Sequence, residues 1–203
     1  MGKTGKSRGF TLIELLVVIG IIAVLIAASV GSYAKITSVA EKARASDLVH
    51  QVALALSTMY EHRGGQWPLR MAAAGEKGAR LDDLAAYAFV EGETKYLSLS
   101  HSGGKLTGYD RFGVLDPWGT AILKRKGASS GSEGVQDHIL WFAVDTDGDG
   151  IISGVSVGGE TLDIRATAVV WGAGKDGRLE PYSRGVRGDD IYSWSVGQTK
   201  RVK

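Results

Sequence analysis

The sequence predicts an α+β protein: one long N-terminal helix, transmembrane in its first half, with a small antiparallel β-sheet head packed on its second half. Three observations predict it. Between Phe10 and Val30 only Thr11, Glu14 and Ser29 are polar. Ala45, Val49, Val52, Leu56 and Met59 then recur at spacings of 4, 3, 4 and 3, the period of a single helix face. Beyond Gly64-Gly65 the chain breaks into short β-branched and aromatic runs separated by Gly-rich segments, the pattern of strands joined by turns.

Four segments follow from this pattern: a leader at 1–9, an apolar helix at 10–30, its amphipathic continuation at 31–62 and a head at 63–203. The leader carries Lys3, Lys6 and Arg8 and no acidic residue. By the positive-inside rule it stays in the cytoplasm, which sends the C-terminal head across the membrane. A helix over the 21 residues from Phe10 to Val30 rises about 31 Å, close to the apolar thickness of a bilayer. A secretory signal peptide has the same charged start but is cut after its apolar run, and Ala27-Ala28-Ser29 offers small residues for such a cut.

The continuation is expected to reach about residue 62, ended by Gly64-Gly65, with its apolar stripe under the head. In the head, Leu81–Val90 reads as a short helix, Ile139–Val144 and Arg165–Trp171 as strands, and Gly127–Gly134 as a flexible loop. Pro117 reads as a turn residue after Asp116, with Gly119 permitting tight backbone geometry and Trp118 and Trp194 as core anchors. There is no cysteine, so disulfides and thiolate metal sites are excluded. The net charge is +2, with no concentrated basic face, so no nucleic-acid partner is expected.

The order of elements at the start, RGFTLIELLVVIG over Arg8–Gly20, resembles the type IV pilin and type II secretion pseudopilin family. The resemblance implies a type IV pilin-like fold, cleavage between Gly9 and Phe10 by a prepilin peptidase, and methylation of the new Phe10 amine. That cut lies before the apolar helix, so the helix stays on the mature chain. A carboxylate at bilayer depth is costly unless paired. Cleavage creates a partner for Glu14 in the Phe10 amine of a neighbouring subunit, or of the same chain one turn away, which would make Glu14 a register mark for assembly. Three further stretches, YEHRGGQWP at 60–68, LDPWGT at 115–120 and DDIYSW at 189–194, are similar to patterns of the major pseudopilin, with Trp67 standing where Tyr is usual.

Two acidic loops could hold a metal. DTDGDGII, starting at Asp145, sets Asp145, Asp147 and Asp149 at alternate positions with Gly150 sixth, an arrangement of hard oxygen donors suited to Ca²⁺. Its twelfth position is Ser156 instead of Glu, so a complete EF-hand is not expected, and a solvated acidic turn is the other reading. The resemblance implies one Ca²⁺ in a C-terminal loop matching Asp189 and Asp190, where adjacent carboxylates repel unless compensated. Asp176 could add a ligand there or simply serve the turn at Gly174–Gly177.

Enzyme motifs lack their settings. Gly154-Val-Ser-Val-Gly158 has the G-x-S-x-G pattern but no following helix. The four histidines are scattered and there is no phosphate-binding Gly loop. The expectation is a non-enzymatic subunit of a type II secretion pseudopilus, a single-pass inner-membrane protein with a periplasmic head. Its implied partners are itself as a homopolymer, sister pseudopilins, the prepilin peptidase, and inner-membrane assembly proteins with a cytoplasmic ATPase. A type IV pilin for adhesion, motility or DNA uptake is the alternative within the family; a tethered extracytoplasmic domain that never polymerises is the alternative outside it.

Overall fold

A computed structural model describes residues 10–81, 101–102, 105–106, 109–110, 113–126, 134–185 and 188–201. The chain parts into two compact units between Ala40 and Glu41. Helix α1 (Leu12–His62) contributes to both. In the first unit its large apolar side chains from Leu12 to Ile26 are all exposed. Among the described residues no helix is long and apolar enough to cross a membrane. The described side chains of this stretch end at Ala28, short of Val30, where the apolar run of the sequence ends.

Helix α1 stops where the two glycines stand. Gly64 has φ +66°, its N–H donates to Glu61 O, and the Gly65 N–H donates to Tyr60 O. This pair of bonds is a Schellman motif, and its left-handed residue favours glycine because it has no Cβ. Helix α2 (Leu69–Ala74) follows.

The second unit is built in three layers. The middle layer is a four-stranded antiparallel sheet in the order β1 (Ala79–Arg80), β6 (Trp141–Val144), β9 (Ala168–Gly172), β10 (Ile191–Tyr192). Short two-stranded pairings join β2 (His101–Ser102) to β3 (Lys105–Leu106) and β4 (Tyr109–Asp110) to β5 (Gly113–Val114). Because side chains alternate across a strand, β6 and β9 serve two cores. Phe142, Val144, Ala168 and Val170 pack with the α1 stripe of Ala45, Val49, Val52, Ala55, Leu56 and Met59. Ala143, Val169 and Trp171 pack the other way, on β7 (Ile152–Val157) and β8 (Glu160–Ile164). These two strands and β11 (Thr199–Arg201) form a three-stranded antiparallel sheet. A strand buried on both faces cannot show polar alternation, and every residue of β9 is buried.

The Asp-Pro-Trp-Gly stretch corrects one expectation. It opens helix α3 (Pro117–Lys126) instead of making a free turn. Asp116 Oδ1 accepts the Gly119 N–H at 2.8 Å, and Pro117 occupies the first helical position, where a missing N–H costs nothing. Trp118 is buried and its Nε1 donates to Glu41 Oε2 on α1 at 3.2 Å; Trp194 is buried in the second core. Of the helix expected at Leu81–Val90 only Leu81 lies among the described residues, and of the loop at Gly127–Gly134 only Gly134. The G-x-S-x-G stretch lies in β7, with Ser156 exposed in mid-strand and a tight turn at Gly158-Gly159 leading into β8. That setting has no strand-to-helix elbow.

Candidate functional site

At the head of α1 the structure places Phe10 almost free, 79% exposed; Gly9 lies outside the described residues. Glu14 is bound to Thr11. The Thr11 N–H and Oγ1–H each donate to Glu14 Oε2 at 2.8 Å, and Thr11 Oγ1 accepts the Glu14 N–H at 3.3 Å. This reciprocal pair is a capping box, which satisfies two donors that a helix start otherwise leaves orphaned. Glu14 therefore has a role inside its own chain before any neighbour arrives. Both Thr11 donors fall on Oε2, and among the described residues Oε1 accepts no hydrogen bond. The signal was present in the sequence as Thr-x-x-Glu before an apolar run. Further along, Val17, Gly20, Ile21, Val24 and Leu25 line a shallow, open apolar groove.

The two acidic loops lie at opposite ends of one hairpin. The first, Asp145–Gly150, leads into β7. Asp145 is buried, and its two oxygens accept the Gly148 and Gly150 N–H groups at 2.7 and 2.8 Å. Asp147 and Asp149 accept the N–H groups of Asp149 and Ile151. Glu76, which sequence reasoning missed, closes over this loop by accepting Thr146 Oγ1–H and the Ser153 N–H. Oxygens of Glu76, Asp145 and Asp147 gather within 4.8 Å of one another; Asp149 stands outside that set. Trp67 stacks on Tyr60 at 4.7 Å and donates its indole N–H to Asp145 O, tying the loop to the end of α1.

The second locus lies beyond the other end of β7. The turn at Gly158 packs directly on Glu180, where a Cβ would stand 2.1 Å from the Glu180 carbonyl oxygen. Asp190, 4% exposed, accepts the Glu180 N–H and the Tyr192 O–H on Oδ2 at 3.1 and 3.0 Å. Its Oδ1 is buried with no partner. Burial pushes the Asp190 pKa up to about 6; the bonds from Tyr192 and Glu180 pull it back, while the charges of Asp189 and Glu180 push the same way as burial. Asp189 Oδ2 accepts the N–H groups of Lys175 and Asp176 at 2.7 and 3.1 Å.

Glycines and a lysine hold this second loop in place. Gly174, at φ +67°, lies so close that a Cβ would come within 2.4 Å of Asp189 O. At Gly185, in helix α4 (Tyr182–Gly185), a Cβ would come within 2.3 Å of Asp190 Oδ2. Lys42 of α1 donates to Gly188 O. Asp176 accepts the Arg178 N–H at 2.8 Å, the bond of a turn residue. Thus Asp189 and Asp190 come together, with Glu180 beside them, and Asp145 and Asp147 form a separate group with Glu76, Asp149 lying on the same loop outside it.

A buried acceptor without a partner is costly, and Asp190 Oδ1 has the burial and the charge surroundings that a hard cation would relieve. The chemistry of the second loop fits Ca²⁺ on that count. In the first loop each carboxylate accepts at least one backbone donor, and oxygens of Glu76, Asp145 and Asp147 are also close enough together to share a cation.

Residues 4–30 match the family described as the Prokaryotic N-terminal methylation motif. The match indicates a prepilin-peptidase substrate of the type IV pilin-like kind. Its architecture, one N-terminal helix followed by antiparallel sheets, agrees with a type IV pilin-like fold. Comparison with curated proteins and with solved structures returns no match.

Proposed function

We propose that the chain is a non-enzymatic structural subunit of a type II secretion pseudopilus, anchored in the inner membrane with its head in the periplasm and polymerised through the first half of α1. The observation that carries this reading is the pairing of an apolar helix stretch whose large side chains are all exposed with a carboxylate of which, among the described residues, one oxygen accepts no hydrogen bond. Glu14 Oε2 is held by Thr11, so the side chain is already oriented, and among the described residues Oε1 has no donor and is left for the cationic amine that cleavage before Phe10 creates. Stacking copies then buries Leu12 to Ile26 and supplies the partner that a carboxylate at that depth requires.

The choice of a pseudopilus over an adhesion, motility or DNA-uptake pilus rests on LDPWGT and DDIYSW. The first builds the capped start of α3 and the second the C-terminal loop. In the same reading Asp189 and Asp190 hold a calcium ion together with backbone carbonyls. The ion would neutralise facing carboxylates and fasten a loop that no disulfide can fasten. The partners are further copies of the chain, sister pseudopilins, the prepilin peptidase and an assembly platform driven by a separate cytoplasmic ATPase.

The test is Glu14→Ala against Glu14→Gln in cells carrying the assembly machinery, with membrane insertion and filament yield scored separately. The expected result is normal insertion of both variants with filament yield reduced at least tenfold. Filaments formed at wild-type yield by both variants would show that assembly does not use Glu14, whereas a wild-type chain that inserts but forms no filament would identify a tethered domain. Filaments that fail to support protein export but support twitching or DNA uptake would move the chain to the pilins.

A further inference from the structure

Asp116 and His138 form a buried pair that neither the helix surface nor the acidic loops use. Asp116 is fully buried, His138 is 5% exposed, and Nδ1 lies 2.9 Å from Asp116 Oδ2. Two glycines let other segments close on the imidazole. A Cβ at Gly119, in the first turn of α3, would stand 2.6 Å from His138 Cβ, and one at Gly177 would stand 3.5 Å from His138 Nε2. The ring is therefore clasped between the start of α3 and the loop Gly174–Gly177. That loop donates two backbone N–H groups to Asp189.

We propose that Asp116 and His138 form a pH-dependent latch between α3 and the loop that seats Asp189, tight in mildly acid medium and looser in alkaline medium. Among the described residues, the charged groups that act on the imidazole are carboxylates: Asp116 at the start of α3, Asp137 on the same short 3₁₀ turn, and Asp176 on the loop. A carboxylate only accepts, so Nδ1 carries a proton towards Asp116 in either state of the ring. The second proton, on Nε2, faces Gly177 and adds a positive charge among three negative ones. Losing it leaves the clasp geometrically intact but removes the attraction that draws the loop to α3.

The direction of titration agrees with this geometry. Burial alone would lower the His138 pKa, but the hydrogen bond and charge of Asp116, with Asp137 and Asp176, raise it above its ordinary 6.5. A raised imidazole pKa contributes stability that is complete below 6.5 and lost as pH rises through the raised value. Burial likewise raises Asp116 above its ordinary 3.8, against the pull of His138 and the Gly119 N–H. Its contribution therefore also declines with rising pH, starting lower.

The experiment is an NMR titration of the full chain in detergent micelles between pH 5 and 9. Histidine ring signals are assigned by loss in His138→Gln, and the backbone amides of Lys175, Asp176 and Gly177 are followed in parallel. The latch predicts a His138 midpoint above 6.5, loop amides that shift with that same midpoint, and loss of this common transition in Asp116→Asn. A His138 that titrates at or below 6.5, or loop amides that ignore it, overturns the proposal. The wild-type titration decides the matter even if Asp116→Asn does not fold.

Discussion

Leu16 and Leu56 are the same residue on the same helix, yet Leu16 is 58% exposed and Leu56 is fully buried. The difference is in their surroundings. Around Leu16 nearly every neighbour on the helix is apolar too, so no single face is marked for burial by its own chain. Around Leu56 the apolar residues keep to one stripe, and the sheet of β6 and β9 covers that stripe. A helix apolar all round finds its partner in lipid or in other helices, whereas an amphipathic one finds it in its own domain. One continuous helix thus serves two purposes, and each purpose can be read from how its apolar residues are distributed.

The sharpest way to break this comparison is to make the same change in both halves. Leu56→Ala should cost about 2–5 kcal/mol of head stability, read by chemical denaturation. Leu16→Ala should leave the head transition where it is. Equal effects would mean that the two halves are not distinct environments.

The next effect in size concerns the head alone. Removing calcium with a chelator should lower the thermal midpoint by about 5–10 °C if the site is well saturated beforehand, and Asp190→Asn should abolish that response. Sensitivity that survives Asp190→Asn but disappears in Asp147→Ala would place the ion in the first acidic loop; an unchanged melt would remove it from the protein.

A smaller loss, about 1–3 kcal/mol, is expected from Gly174→Ala. There φ is +67° and the added carbon meets Asp189 O. Gly20→Ala, with open space around it, should leave the folded head unchanged, again separating the two units. The smallest effect comes with pH. No histidine lies between Phe10 and Ala40, so a midpoint that falls as pH rises above 6.5, the ordinary value of His138, should belong wholly to the head and be lost in His138→Gln.

Much of this division was legible from residue order. The stripe from Ala45 to Met59, the glycine stop at Gly64-Gly65, and strands β6 and β9 all rest on local periodicity or on a special backbone angle, which neighbours in sequence determine. Asp116-Pro117 was legible as a break in the chain but not as a helix start, because a turn and a helix cap use the same side-chain acceptor and the same fixed φ. The Phe10 amine, of a neighbour or of the same chain, is the partner that charge alone suggests for Glu14, whereas the donors that hold it belong to Thr11, three residues away. Glu76 carried no readable signal. Its place over Asp145 depends on where α2 and β1 run, and no spacing within its own segment encodes that. The pairing of His138 with Asp116 is of the same kind, a contact made by the fold between residues 22 apart.

Assembly through α1 requires its exposed half to remain part of the working protein. Intact mass and N-terminal sequence of the chain extracted from membranes test this directly. The predicted result is a mature chain that begins at Phe10 with one added methyl group, so that the apolar helix and Glu14 are both retained. A chain beginning after Ala27-Ala28-Ser29, with the helix removed, would contradict it.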